Sequence, residues 1–215
     1  MSELVEQRSE TRLERRNRAA AETRSAILDA ARTAILVDGY GALSTRRVAE
    51  LAGVPLSQIH YHFGSKRRLV LAVLDAENAR LLRRQTEMYD RPEPLWVRWD
   101  RACDFLEADL ASGYVGILQE MIAAGWSDAR VAASVREMLS GWYRLLAEVV
   151  RREAERGLEI DPFTAEEVGA LMGLPFLGAE EMILLGMPES TLPARSALRK
   201  VGLVLRKILE PGHGG

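Results

Sequence analysis

Apolar residues recur at three- and four-residue spacing along most of the chain, which is the period of an amphipathic α-helix. The first such segment begins at Thr23, and Gly39 is typical of a helix end. Its apolar positions are Ile27, Leu28, Ala31, Ala34 and Ile35. No segment keeps the strict alternation expected of a strand. The pattern therefore predicts an all-α protein.

Capping residues divide the next part of the chain into three further helices. Ser44 can cap a short second helix that Gly53 ends, and Pro55 suits the first turn of a third helix that reaches Phe63. Gly64 follows, and the hydroxyl of Ser65 can cap a long fourth helix.

Two prolines between Tyr89 and Pro94 interrupt the pattern, and five helices are predicted beyond them. A capping box at Thr164–Glu167 opens the fourth of these. The five predicted ranges are 95–110, 115–124, 128–156, 164–185 and 193–209. We expect an arm over 1–22, a three-helix module over 23–68 and, joined to it by the long helix, a helical bundle within 69–215.

Charge is distributed unevenly between these parts. The 215 residues carry a formal net charge of −2. Up to Arg68 there are 12 Lys and Arg against 8 Asp and Glu, whereas the remainder has 17 against 23. A basic amino-terminal part on an acidic body favours a polyanionic partner for the former.

Cysteine content and the terminal sequence indicate the compartment. Cys103 is the single cysteine, which excludes an intramolecular disulfide. The first residues lack the apolar segment of a signal peptide, and no apolar run reaches about 18 residues. We expect a cytoplasmic protein whose arginine-rich residues 1–22 form a flexible arm or a loosely helical extension.

Residues 44–66, STRRVAELAGVPLSQIHYHFGSK, combine a helix, a glycine turn and a short helix, which is a helix-turn-helix arrangement. A small core is predicted from Ala49, Leu51, Ala52, Ile59 and Phe63. That core would turn Ser57, Gln58, His60, Tyr61 and His62 outward, where a helix can read the major groove of DNA. Thr45, Arg46 and Lys66 lie near helix starts, which favour phosphate.

Residues 23–74 resemble the DNA-binding module of the tetracycline-repressor (TetR) family in the 45–52 helix, Ala52-Gly53-Val54, Ile59–Phe63 and Ser65-Lys66. The resemblance implies a homodimer that binds a palindromic operator, usually as a repressor. It also implies a ligand in the carboxyl-terminal bundle that changes the separation of the two reading heads. Pro55 and Ser57 depart from the residues common in that family, which alters the expected contacts.

No set of residues indicates catalysis, a cofactor or a metal. The chain has no glycine-rich phosphate loop and no nucleophile elbow. His60 and His62 are two residues apart and point to different sides of a helix, so they are poorly placed to share an ion. The doublets Glu166-Glu167 and Glu180-Glu181 are interpreted as solvated or capping faces.

Aromatic and sulfur-containing residues recur in the predicted bundle and suggest a cavity for a hydrophobic or aromatic effector. The candidate ligand-binding residues are Trp96, Trp99, Cys103, Met121, Trp126, Met138, Trp142, Met172 and Phe176. Core packing is the alternative interpretation of each. Asp104, Glu107 or Glu120 could select a cation.

The last two helices are predicted to form the dimer interface, because small residues allow close approach and the final helix is apolar on more than one side. The small residues are Gly169, Ala170, Gly173, Gly178 and Ala179, and the apolar ones are Leu198, Val201, Leu203, Val204, Leu205 and Ile208. Intrachain packing is the alternative. A helical adaptor or a ligand-sequestering protein remains open as an alternative function.

Overall fold

The structure is a computed structural model that describes the backbone of residues 2–209 and the side chains of 14–39 and 41–207. Over residues 2–209 it contains nine helices and no strand, which confirms the predicted all-α class. They are α1 (Ser2–Ala42), α2 (Thr45–Ala52), α3 (Leu56–Phe63), α4 (Lys66–Tyr89), α5 (Leu95–Ala111), α6 (Tyr114–Gly125), α7 (Ala129–Glu155), α8 (Ala165–Leu184) and α9 (Ala194–Leu209).

Helix α1 differs most from the sequence expectation, since it begins at Ser2 rather than near Thr23. The backbone of residues 2–22, expected as a flexible arm or a loosely helical extension, is helical. The side chains of Arg8 and Arg12 lie outside the described residues. At the other end, Gly39 has φ 78° and interrupts the helical geometry where a helix end was predicted.

The chain divides into two compact units, one up to Leu74 and one from Asp75. This division falls inside α4, six residues beyond the expected position after Arg68. None of the helices described combines the length with the continuous apolar surface needed to cross a bilayer.

The second unit is built around a core that α5, α7, α8 and α9 share. Trp99 is almost fully buried, and its indole Nε1 donates a 2.7 Å hydrogen bond to the carbonyl oxygen of Leu198. The Trp99 ring packs at a tilt on Phe176, with ring centroids 5.2 Å apart. These contacts tie α9 to α5 and α5 to α8.

Small residues on α8 allow close packing on α7 of the same chain. A Cβ atom at Gly169 would lie 2.9 Å from the backbone nitrogen of Ala147, and one at Gly173 would lie 2.6 Å from Cε1 of Tyr143. Ala179 is buried in the same core. The assignment of these three residues to a subunit interface was therefore wrong, because they are used within the chain.

Candidate functional site

The helix-turn-helix of the first unit is fixed by local capping. The hydroxyl of Ser44 accepts a 3.1 Å hydrogen bond from the backbone N–H of Arg47, which caps α2. Gly53 then adopts a left-handed conformation, with φ 64°, that few other residues tolerate. Its backbone N–H closes the end of α2 and the chain turns into α3.

Helix α3 has one buried face and one open face. Ile59 is fully buried and Phe63 nearly so, whereas Ser57, His60 and Tyr61 are exposed. Because residues three and four apart share a helix face, the exposed three form one polar surface. Tyr61 is the most open of them, with 79% of its area accessible.

The small core beneath α3 differs in one residue from the prediction. Leu51 is 40% exposed, whereas Val48 from the same helix is fully buried beside Ala49. The assignment of Leu51 to the core was therefore wrong. Val48 and Ala49 form the inner face of this two-turn helix, and Leu51 lies at its exposed edge.

The predicted DNA-contacting side chains lie on α2, on α3 and at the start of α4. Ser65 caps α4, since its hydroxyl accepts a 3.3 Å hydrogen bond from the N–H of Arg68. Arg46, Ser57, His60 and Tyr61 are exposed, whereas Thr45, Gln58, His62 and Lys66 are partly buried. All eight retain accessible surface, as a contact with DNA would require.

The second unit contains a cavity of about 640 Å³, counting its opening to solvent. Helices α4 to α8 contribute to its wall, which is mainly aliphatic and aromatic. The lining residues include Leu81, Trp99, Phe105, Leu106, Tyr114, Met138, Trp142, Leu146, Met172 and Phe176. The polar side of the wall comes from Asn78, Gln85, Asp109 and Glu180.

Five of the nine predicted ligand-binding residues line this cavity, namely Trp99, Met138, Trp142, Met172 and Phe176. Trp142 is held in place by a 2.7 Å hydrogen bond from its indole Nε1 to Oε1 of Gln85.

The other four predicted ligand-binding residues lie outside the cavity wall, which corrects the set. Trp126 follows the last turn of α6 and is 83% exposed. The guanidinium carbon of Arg206 lies over the ring of Trp96, 4.9 Å from the centroid of that ring. Cys103 and Met121 are buried core residues that do not reach the lining. Residue type alone did not distinguish a position in the core from a position in the cavity wall.

The acidic residues of the cavity are not those the sequence suggested. Asp104 pairs with Arg199 and Glu107 with Arg195, at 2.6 and 2.8 Å, and neither lines the cavity. Glu120, the third candidate, is exposed and is also absent from the lining. The lining carboxyl groups belong instead to Asp109 and Glu180.

Glu180 also corrects the interpretation of the 180–181 doublet as a solvated face. Met172, Phe176 and Glu180 follow one another at four-residue spacing and all line the cavity. That spacing was available in the sequence and could have identified Glu180. The doublet Glu166-Glu167 is different, since Glu167 completes the predicted capping box with Thr164.

Burial changes the titration of several cavity groups. Desolvation, with the nearby charge of Asp109, raises the pKa of Glu180 to about 7. Desolvation also raises the pKa of Asp109, although the guanidinium of Arg84 opposes this. The pKa of the Tyr114 hydroxyl is raised by burial and by the same carboxylates.

Comparison with known sequences finds relatives of the first unit. The family model described as bacterial regulatory proteins, tetR family, matches residues 27–73. The chain is 40% identical over 78 residues to the transcriptional regulator TtgR of Pseudomonas putida, an alignment that covers 35% of this chain. It spans 37% of the length of that relative.

Solved structures extend the similarity in fold across both units. The choline complex of a Saccharomonospora viridis protein superimposes with a TM-score of 0.71 at 19% identity, covering 87% of this chain and 96% of that one. The regulator FadR of Bacillus subtilis in complex with stearoyl-CoA gives 0.67 at 14% identity, covering 88% and 99%. The amino-terminal helix-turn-helix is therefore similar in sequence to the tetR family of bacterial regulatory proteins, and the chain as a whole is similar to these solved structures in fold.

Proposed function

We propose that this chain is a ligand-responsive transcription regulator, most simply a repressor, that binds a palindromic operator as a homodimer and is released by a small apolar or aromatic effector. The observation that carries the proposal is the arrangement of α3, the second helix of the helix-turn-helix. It buries apolar residues on one face and exposes polar residues on the other. Chromosomal DNA as the partner places its action in the cytoplasm.

On the DNA, α3 enters the major groove and the helix starts meet the backbone. Ser57, His60 and Tyr61 project from the open face, where hydroxyl and imidazole groups can contact base edges. Arg46 near the start of α2 and Lys66 at the start of α4 bind phosphates, supported by the free N–H groups and the dipole of each helix. Base contacts give sequence preference, and phosphate contacts give affinity.

The homodimer forms through the outer faces of α8 and α9. Large apolar side chains remain exposed there, although both helices also bury apolar residues in their own core. The exposed ones are Leu171, Leu174, Leu184, Leu185, Val201, Leu203 and Val204. Two copies of such a surface can cover each other around a two-fold axis, which matches the symmetry of a palindrome. The side chain of Ile208, also expected in this interface, lies outside the described residues.

The cavity of the second unit is the proposed effector site. Its wall is mainly apolar with a few polar groups, which is the composition of sites that bind small organic ligands. The choline and stearoyl-CoA complexes support the proposal that this fold accommodates small organic molecules. An effector that binds the DNA-free conformation of the protein more tightly than the DNA-bound one shifts the protein toward the DNA-free state.

The decisive experiment is DNA binding by the purified chain. Labelled DNA fragments from upstream of its own gene and from coding sequence are titrated with protein at 50 to 300 mM salt. We expect a complex with the upstream fragment that competitor DNA does not displace, with an affinity that falls steeply with salt. A chain that forms no salt-sensitive complex with either fragment would instead be an adaptor or a ligand-sequestering protein.

A further inference from the structure

The cavity of the second unit carries one sign of charge. Its lining contains the carboxyl groups of Asp109 and Glu180, whereas none of the described side chains that line it is Lys, Arg or His. A low-dielectric cavity with such a wall opposes the entry of an anion.

The two carboxyl groups differ in how they are satisfied. Asp109 accepts a 2.6 Å charge-assisted hydrogen bond from Arg84, whose guanidinium also lies over the ring of Phe105 at 4.1 Å. Glu180 interacts instead with the neutral side chain of Gln119. Its Oε2 atom is buried without a hydrogen-bond partner. Asp109 therefore has its counter-ion, whereas Glu180 has an unfilled acceptor.

A buried carboxylate oxygen without a donor is costly, and here it belongs to a residue that lines a cavity. The hydroxyl of Tyr114, another lining group, is directed to Asn78 and Met138, at 3.4 and 3.8 Å. The remaining wall is mainly apolar, including the packed rings of Trp99 and Phe176. A matching ligand must therefore bring its own donor together with an apolar body.

We propose that the effector of this cavity is a hydrophobic or aromatic amine, whose protonated nitrogen binds the Glu180 carboxylate while its apolar body packs against Trp99 and Phe176. This inference rests on the proposed function, since it names the chemical class of the effector. A neutral hydrocarbon would leave Oε2 of Glu180 unpaired. An anionic ligand would meet two carboxyl groups and no cationic side chain in the wall.

The titration of Glu180 agrees with this arrangement. With its pKa raised to about 7, the empty site holds a mixture of acid and carboxylate near neutral pH. An ammonium group favours the carboxylate and would lower that pKa, so the affinity for an amine rises with pH through this range. Asp109 on α5 and Gln119 on α6 act on this carboxyl, which in turn acts on the hydroxyl groups of Tyr114 on α6 and Tyr143 on α7. Arg84 and Glu77 on α4 act on Asp109.

Three probes that share one ring system test the proposal by titration calorimetry on the full chain at pH 8. They are 2-(1-naphthyl)ethylamine, 2-(1-naphthyl)ethanol and 1-naphthaleneacetate, which carry a cation, a neutral hydroxyl and an anion. We expect the amine to bind at least about tenfold more tightly than the alcohol, as a charge-assisted hydrogen bond provides, and the acetate to bind most weakly.

The matched variants are Glu180→Gln and Glu137→Gln. Glu137 is exposed on α7, next to the cavity residue Met138, so its replacement makes the same chemical change outside the site. Glu180→Gln should reduce the affinity for the amine to that of the alcohol and leave the alcohol unaffected, while Glu137→Gln should bind all three as the parent does. The proposal is overturned if the amine fails to bind at millimolar concentration or if the alcohol or the acetate binds as tightly as the amine. It is also overturned if Glu180→Gln still binds the amine more tightly than the alcohol.

Failure of this inference and failure of the proposed function give different results. Operator binding without ligand is measured separately, by fluorescence anisotropy of the upstream fragment. A chain that binds the operator but shows no preference for the amine retains the proposed function and loses only the effector class. A chain that binds the amine through Glu180 but no DNA is a ligand-binding protein and not a regulator.

Discussion

Arg98 and Glu153 form a buried ion pair that joins α5 to α7. The guanidinium of Arg98 donates to Oε1 of Glu153 at 2.6 Å and to the backbone carbonyl of Tyr89, at the end of α4, at 2.7 Å. Arg98 is only 2% exposed. One side chain therefore connects three helices that line or border the cavity.

Replacing Arg98 by Met should destabilise the protein by about 2–4 kcal/mol, because Glu153 and the Tyr89 carbonyl lose a buried donor. The bond that Glu153 accepts from Arg156 at 2.8 Å limits the loss. Urea unfolding at constant protein concentration measures it. The control is Arg144→Met, which removes an exposed 3.3 Å pair with Glu137 and should cost less than about 1 kcal/mol. Equal losses in the two variants would contradict the assignment.

Gly169→Ala should destabilise the protein by about 1–3 kcal/mol, because the new Cβ atom would lie 2.9 Å from the backbone of α7 at Ala147. Gly116→Ala on α6 is the control, since nothing lies within 4 Å of a Cβ atom there. Gly116→Ala should be neutral or stabilising by up to about 1 kcal/mol, as alanine is the better helix former. Thermal unfolding of both variants decides this, and a stable Gly169→Ala protein would show that the packing of α7 on α8 is looser than described.

Helix ends were predictable because their signals are local. Ser44, Gly53 and the Thr164–Glu167 capping box act within a few residues of chain, and the structure places a helix end at each. The early start of α1 was not predictable from apolar periodicity, because residues 2–22 are mostly polar and carry no repeating apolar face.

The cavity was less predictable because its lining depends on how separate helices meet. Trp126 and Trp142 have the same side chain, yet one is open to solvent and the other bonds Gln85 at the cavity wall. Within one helix the information was present, since Glu180 continues the Met172 and Phe176 row. The pairing of Asp109 with Arg84, 25 residues away, required the packing of α4 on α5.

Lys66→Ala and Tyr61→Ala should separate affinity from sequence preference. Lys66→Ala should weaken binding to every DNA fragment about equally, because it removes one phosphate contact. The slope of the logarithm of the binding constant against the logarithm of the salt concentration should fall in magnitude by about 1. Tyr61→Ala should change the ranking among operator variants, since Tyr61 lies on the open face of α3. Arg136→Ala, an exposed residue of the second unit, is the control and should alter neither. An unchanged ranking in Tyr61→Ala would mean that this side chain does not contact a base.

Leu203→Glu should dissociate the proposed dimer, because a two-fold interface would bury the new carboxylate twice. Leu203 is 59% exposed on α9, so the isolated subunit tolerates the change. We expect the dimer dissociation constant, from analytical ultracentrifugation, to rise at least about 100-fold. Val37→Glu, at an exposed apolar position of the first unit, should leave it unchanged. A dimer that survives Leu203→Glu would exclude this part of α9 from the interface.

Glu180 should make the stability of the protein fall as pH rises through neutrality. Its pKa of about 7 in the folded chain exceeds the ordinary value of 4.5, so the folded state binds the proton more tightly than the unfolded state does. The free energy of unfolding therefore declines from about pH 4.5 and levels off above about pH 7. The full loss is of the order of 3 kcal/mol, since each unit of pKa shift corresponds to about 1.4 kcal/mol.

Glu180→Gln isolates this contribution, because an amide cannot ionise in that range. Against the parent chain, the variant should be of similar stability at pH 5 and more stable at pH 8, as measured by urea unfolding at both values. Glu137→Gln, at an exposed site, should follow the parent curve at both. Asp109, whose pKa is also raised by burial, is present in all three proteins. A difference between Glu180→Gln and the parent that does not grow with pH would contradict the buried, unpaired environment of Glu180.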